Sequence, residues 1–360
     1  MQTADFDYNL PEIKIAQEPM AIRDQCKLLC LDKNSGNIND EIFYNILDYL
    51  RPGDLLVANE TRVRPARLLG NKKGSGGAAE IFLLRPIIDG TINNNKSAMW
   101  ECLVRPGKRL KPGSVVEFKD KYENVILEAE IIGFSDKDGK GQRKARLSCK
   151  ACETLDEAIH IIGNTPLPPY IKNYSGDSEL YQTIYSARES SAAAPTAGLH
   201  FTQELIKKIN EKGIDWTTVE LQVGLDTFRT VDVEDFKTHV MHHETYSIPK
   251  STVEKIRNTR QNGGRVIAVG TTTVRSLESA YNCDLEQIDP KEDADTSIFI
   301  YPGYDFKVVD CLITNFHVPR STLMMLVSAL SSREQILKAY KHALDNDYRF
   351  LSFGDAMFIY

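Results

Sequence analysis

Residues Arg265–Tyr281 read RVIAVGTTTVRSLESAY. RVIAVG has the form of a buried β-strand, and TTVRSLESAY continues as a helix with one glycine and three threonines at the junction. A buried strand that turns sharply into a helix is the unit of an α/β layer. The flanking sequence repeats it. TQELIKKINEKG has Thr202 as N-cap, Leu205, Ile206 and Ile209 at helical spacing and Gly213 as its stop. WTTVELQVG follows as a strand and STVEKIRNTRQNGG as a helix; VVDCLITNF is a further strand, and STLMMLVSALSSREQILKAYKHAL one or two helices.

From Arg64 to Lys150 the pattern changes. ARLLGN, AEIFLLRPI, WECLVRPG, SVVEFKD, VILEAEIIGF and KARLSC are short β-rich segments separated by Gly, Asn, Asp and Lys, which predicts a small barrel or sandwich. TLDEAIHIIGNTPLPPYIKNY then returns the chain through Pro166, Pro168 and Pro169. The expected fold class is α/β: a layered α/β main domain of residues 1–63 and 151–360 carrying an inserted small all-β barrel domain of residues 64–150.

The 360 residues, 42% of them hydrophobic, suffice for full-sized cores. No run approaches a membrane span, and MQTADFDYNLPEIK lacks the basic-then-apolar order of a signal peptide, so a cytoplasmic protein without membrane contact is expected. Seven scattered cysteines suit a reducing compartment; Cys149 and Cys152 form a CxxC without a thioredoxin-like context. His239, His242, His243 and Glu244 cluster, but not at HExxH spacing, so hydrogen bonding rather than metal binding is expected of them. There is neither GxGxxG nor GxxxxGK[ST], and the glycine-rich loop of S-adenosylmethionine methyltransferases is missing too.

In an α/β layer, ligands collect beyond the carboxyl ends of the strands. Five junctions fall there: APTAGLHF with Ala197, Gly198 and His200; VGLDTF with Gly224; VGTTTVRS with Thr271, Thr272, Thr273 and Arg275; TNFHVPRST with Asn315 and His317; and FGDAMFI with Asp355. Singly, a histidine before a helix is more often a cap than a catalyst; together the five imply a site. The threonine turn can be an anion cradle or a tight turn with hydroxyl caps. Net charge is −6, yet Arg105, Lys108, Arg109 and Lys111 form a local basic turn, and Lys137, Lys140, Arg143, Lys144 and Arg146 a second basic stretch, as phosphate contacts require. Tyr170 and Tyr174 can stack on bases or edge the core.

In order along the chain, PGDLLVANETRV, PARL, LPPYI, ELYQTIYS, AAPTAGLHFT, HxMHxE, VIAVGTTTVRSLES, IYPGY, LITNFHVPRSTLMMLVSA and YRFLSFGDAMFI resemble the S-adenosylmethionine:tRNA ribosyltransferase-isomerases of queuosine biosynthesis. The resemblance implies an α/β domain with an inserted β-barrel. It also implies transfer and isomerisation of the ribosyl part of S-adenosylmethionine onto 7-aminomethyl-7-deazaguanine at the tRNA wobble position, giving epoxyqueuosine with loss of adenine and methionine. S-adenosylmethionine is then a consumed substrate and no cofactor is expected. Laid onto these residues, the reaction suggests His200 and His317 as an acid/base pair and Asp355 as their orienting group or a counter-charge to the sulfonium. Thr271, Thr272, Thr273 and Arg275 would hold the methionine carboxylate, Ala197 and Gly198 would give clearance for a base, and Gly224 and Asn315 would line the site. Arg105, Lys108, Arg109 and Lys111 would meet the tRNA, with a monomer as the working unit. Where the family reads LHVGxGTF this chain has LQVGLDTF, so Gln222 stands for a histidine and Asp226 for a glycine. A methyltransferase-like enzyme on the same substrates, which would release S-adenosylhomocysteine, and a non-catalytic tRNA-binding module remain the alternatives.

Overall fold

The computed structural model describes residues 1–87, 94–135, 141–172, 174–224 and 230–360. The chain divides into two compact units, one of residues 1–62 and 167–360, the other of residues 63–166.

In the larger unit a nine-stranded sheet runs in the order Lys291–Thr296, Glu244–Ile248, Asp215–Leu221, Leu55–Asn59, Val266–Val269, Cys311–Asn315, Ala356–Ile359, Lys27–Leu31, Ile38–Ile42. Its middle is parallel: Leu55–Asn59 lies between Asp215–Leu221 and Val266–Val269, which in turn pairs in parallel with Cys311–Asn315. Buried on both faces, Val266–Val269 and Cys311–Asn315 have no exposed residue, which is why they read as unbroken apolar runs. Ala356–Ile359 enters antiparallel with Ala356 opposite Asn315, so Asp355 and Asn315 share one edge of the sheet. Lys27–Leu31 runs parallel to Ala356–Ile359 and brings Cys26 to that edge as well.

The helices start where their caps dictate. Thr202 accepts the Leu205 amide at 3.2 Å ahead of Gln203–Glu211, and Gly213 ends that helix region at a φ of 78°. Ser321 and Ser332 cap Thr322–Leu330 and Arg333–Asp345, so the long C-terminal helical stretch is two helices. Thr271–Ser279 follows Gly270, whose φ of 93° makes the sharp turn from strand to helix.

The smaller unit is a closed antiparallel barrel of six strands, Arg67–Lys72, Ala78–Ile87, Ser97–Arg105, Gln142–Cys149, Val125–Phe134 and Val115–Lys119, the last pairing back onto the first. Closure removes the free edges of the sheet. The unit continues past the expected end at 150 to Pro166, because helix Leu155–Ile162 directs Leu155, Ala158 and Ile159 inward and Gly163–Asn164 pairs with Arg67–Leu68. Alternation along Gln142–Cys149 buries Arg143 beneath the Phe134 ring, 4.1 Å from its centroid, so Arg143 leaves the second basic stretch while Lys144 stays outside. Lys137 and Lys140 lie outside the described residues, as does Asp226. Arg105, Lys108, Arg109 and Lys111 are exposed, and among the described residues none of the four has an ion-pair partner.

The seven cysteines are free thiols. Among the described residues no helix is long and apolar enough to cross a membrane.

Candidate active site

The carboxyl ends of Val266–Val269 and Cys311–Asn315 open into a cleft continuous with solvent, where ligands of an α/β layer collect. Gly270, Thr271 and Thr272 form one wall, Thr314 to Val318 another, and Ala194 to Ala197 a third, with Tyr170, Leu351 and Ser352 closing it.

His317 is buried with both ring nitrogens at hydrogen-bonding distance from hydroxyls. The Tyr340 hydroxyl accepts the His317 backbone N–H at 3.0 Å, and its own hydrogen goes to Nδ1 at 3.2 Å. With the Tyr340 hydroxyl donating in this way, Nε2 carries the ring proton and donates to the Thr314 hydroxyl at 3.2 Å; the other neutral tautomer reverses both bonds. Tyr8 donates to the His317 carbonyl and packs edge-on to Tyr340. Burial holds the His317 pKa down to about 3, so the ring is neutral at physiological pH.

His200, at the end of the short turn Thr196–His200, is buried too and lines a neighbouring recess, not the cleft itself. The Asn315 Oδ1 accepts the Thr196 hydroxyl at 2.8 Å, which turns its amide nitrogen toward His200 Nε2 at 3.1 Å. Nε2 then accepts, and Nδ1–H points at the Cys26 sulfur 3.1 Å away. Burial first, and the charges of Arg349 and Arg23 after it, hold this ring's pKa down to about 3 as well. Burial pushes the Cys26 thiol far up, so the pair is thiol and neutral imidazole, not thiolate and imidazolium. Asn315 joins the two parts of the site, touching His200 while lining the cleft.

Asp355 reaches neither histidine. Its carboxylate accepts the backbone amides of Lys27 at 3.0 Å and Arg349 at 2.7 Å, tying two strand ends together, and only its carbonyl approaches Asn315, at 3.5 Å. Burial raises its pKa against those two amides and the charge of Arg349.

The threonine turn is divided. Thr271 and Thr272 line the cleft, and the Thr272 hydroxyl is buried without a hydrogen-bond partner at the positive end of a nine-residue helix. Thr273 turns back to the Val269 carbonyl at 2.8 Å. Arg275, one turn further along and about 5–6 Å below the N-terminus, is not a cleft residue. Its guanidinium pairs with buried Glu244, which also lies 3.1 Å from His242 Nε2 and accepts the Gly224 amide at 3.3 Å. Burial would raise the Glu244 pKa, but the bond to His242 and the charges of Arg275 and His242 carry it below the ordinary range. The carboxylate of the HHE cluster is thus one arm of an ion pair that braces the helix, and His239 lies against the Phe299 ring, 5.8 Å between centroids.

Gly198 owes its identity to the protein interior. A Cβ there would stand 1.9 Å from the Tyr185 hydroxyl and 2.8 Å from Thr183 Cγ2, so the missing side chain makes room for Tyr185, and Ala197 alone of the pair lines the cleft. Gly224 adjoins the cleft residue Val223. Tyr170 lies in the cleft wall with its hydroxyl 2.7 Å from Ser352 Oγ, whereas Tyr174 packs against Phe353. Tyr340, Cys26 and Arg23 had no signal in the sequence, since nothing local sets them apart from other helix and loop residues, and Arg349 lies within YRFLSFGDAMFI with nothing local to mark it as a site residue.

Comparison with known proteins places this geometry. The family described as queuosine biosynthesis protein matches residues 3–359. S-adenosylmethionine:tRNA ribosyltransferase-isomerases from Finegoldia magna and Clostridioides difficile are 49% and 48% identical to it; each alignment covers 100% of this chain, and 98% and 100% of the relative. The crystal structure of an S-adenosylmethionine tRNA ribosyltransferase from Thermotoga maritima aligns with a TM-score of 0.53 and 36% identity, over 99% of this chain and 100% of that one. The chain belongs to the queuosine biosynthesis protein family.

Proposed function

We propose that this protein is an S-adenosylmethionine:tRNA ribosyltransferase-isomerase. It moves the ribosyl part of S-adenosylmethionine onto 7-aminomethyl-7-deazaguanine at the wobble position of a tRNA and releases adenine and methionine, leaving epoxyqueuosine. The observation that carries this reading is the identity of 47–49% with enzymes of that name along the whole chain. The reading needs no resident cofactor, because the donor is consumed. A monomer is proposed as the working unit.

The chemistry asks for three proton movements. The sulfonium acidifies the adjoining ribose carbon, so a base takes a proton there; adenine takes one as it leaves; the aminomethyl nitrogen gives one up as it attacks. His317 and His200 are the residues proposed for these transfers. In the tautomer described above His317 is a neutral donor through Nε2. Acting as a base at that atom requires the ring proton to sit on Nδ1, with the Tyr340 hydroxyl turned from donor to acceptor. The Gly270–Thr272 turn, with its unpartnered hydroxyl and helix N-terminus, is proposed to hold the methionine carboxylate. Arg105, Lys108, Arg109 and Lys111 are proposed as barrel contacts to tRNA phosphates.

The test is chromatography of the purified protein with S-adenosylmethionine and a tRNA bearing the 7-aminomethyl-7-deazaguanine base. tRNA-dependent free adenine is the expected result. S-adenosylhomocysteine in its place would mean methyl transfer, and bound but unchanged tRNA would mean a binding module.

A further inference from the structure

A second recess, continuous with solvent, opens beside the cleft and shares Ser352 with it. Its walls have a different character. Arg23 and Arg349 both line it, together with His200, Cys26 and Phe353, and among the described residues no carboxylate side chain does.

Neither guanidinium is matched by an acid at hydrogen-bonding distance. Arg23 donates to two carbonyls, those of Gln182 at 2.7 Å and Glu179 at 3.2 Å, while the Glu179 carboxylate goes to Arg62. Arg349 donates through Nη1 to the Glu18 carbonyl at 3.2 Å, and its Nη2 is buried with no hydrogen-bond partner. The nearest carboxylate oxygen, on Asp355, is 3.8 Å away and already accepts the Lys27 amide. Two guanidinium groups, one of them only loosely paired with Asp355, thus line a cavity next to the reaction cleft. Planar guanidinium forks match phosphate oxygens in geometry and charge.

We propose that this recess is a phosphate subsite, in which Arg349 and Arg23 hold a phosphodiester of the acceptor RNA adjacent to the nucleotide whose base enters the cleft. The proposal rests on the acceptor being tRNA. The donor's carboxylate has its own cradle at the Gly270–Thr272 turn, which leaves this recess to the polynucleotide. Seating an anion here also has a chemical consequence, since the charges of Arg349 and Arg23 help keep His200 from accepting a proton. A phosphate between them offsets that field and makes His200 a better proton acceptor once the RNA is in place.

The experiment is fluorescence anisotropy of a labelled anticodon stem–loop RNA titrated with wild type, Arg349→Gln and Arg349→Lys across a potassium chloride series. Arg349→Gln is expected to weaken binding about tenfold at low salt and to lower the slope of log K against log salt by about 0.7. Arg349→Lys should keep the slope and lose part of the affinity, which separates loss of the contact from loss of fold. An Arg349→Gln protein with wild-type affinity and slope overturns the subsite. So does unchanged RNA binding together with a raised KM for S-adenosylmethionine, which would assign the recess to the donor's carboxylate. A wild-type protein that binds no stem–loop removes the acceptor reading and the subsite with it.

Discussion

Lowering the pH from 7 to 5 protonates a histidine in the unfolded chain, where its pKa is 6.5, but not His200 or His317 in the fold, where it is about 3. Between those values the unfolded state binds more protons, so the stability present above the unfolded pKa drains away as the pH falls. Each ring then contributes a loss of about 2 kcal/mol over this interval, or about 4 kcal/mol for both. Asp355, Glu278 and Glu220 act with the opposite sign, because their raised pKa values let the fold take up protons first. The informative quantity is therefore the difference between wild type and His317→Gln in urea unfolding at each pH. Trp216, in the larger unit, reports on it in a Trp100→Phe background. The variant starts less stable at pH 7, and its deficit should shrink by about 2 kcal/mol by pH 5. A deficit that stays constant with pH would mean that His317 takes up its proton as readily in the fold as in the unfolded chain, and a neutral buried ring at pH 5 would be refuted.

Other perturbations isolate other parts of the site. Tyr340→Phe strips the partner from two buried groups of His317 and should cost about 2–4 kcal/mol in urea unfolding together with a fall in kcat; full stability would deny the shared hydroxyl. Thr272→Val should raise KM for S-adenosylmethionine at unchanged folding stability, since the hydroxyl it removes has no partner within the protein; an unchanged KM would take the turn out of donor binding. Glu244→Ala leaves Arg275 buried and unpaired and should lower the unfolding free energy by about 3–5 kcal/mol, read from the same urea titration. Exchanging Lys108 and Arg109 for alanine should weaken tRNA binding equally across RNA sequences and flatten its salt dependence, whereas a sequence-selective loss would indicate base contacts.

Much of this architecture is legible along the chain because local physics writes it there. The six barrel strands carry their own alternation, and Thr202 announces its helix by a hydroxyl that the first turn needs, whereas one or two helices are equally legible in the C-terminal stretch that Ser332 divides. Edge strand Lys291–Thr296 reads KEDADT, without an apolar period, because an outer strand protects itself with charge. It becomes a strand only by pairing with Glu244–Ile248. Gly198 resembles clearance for a ligand, but the atom it clears is a tyrosine hydroxyl thirteen positions earlier in the chain.

Arg275 shows why roles are harder to read than elements. A cation after a glycine–threonine turn suits an anion cradle, and the anion it meets is Glu244, a residue of the chain thirty-one positions away. The pairing has a use for the site. It neutralises the charge next to the helix while Gly224, on the segment that enters the cleft, donates to the same carboxylate. The helix N-terminus is left as a partial positive charge with one free hydroxyl, enough to orient a carboxylate. A full guanidinium in the cleft would instead repel the donor's sulfonium. Arg23 and Arg349, neither hydrogen-bonded to a carboxylate, stand in the neighbouring recess, on the side of His200, where the ligand proposed to meet them is a phosphate. In the proposed arrangement donor and acceptor are sorted by charge: the cationic donor goes to a cleft lined by no lysine or arginine, and the anionic acceptor to the guanidinium pair. Exchanging Thr272 and Arg349 one at a time should accordingly move KM for one substrate each, and a variant that shifted both equally would argue against separate sites.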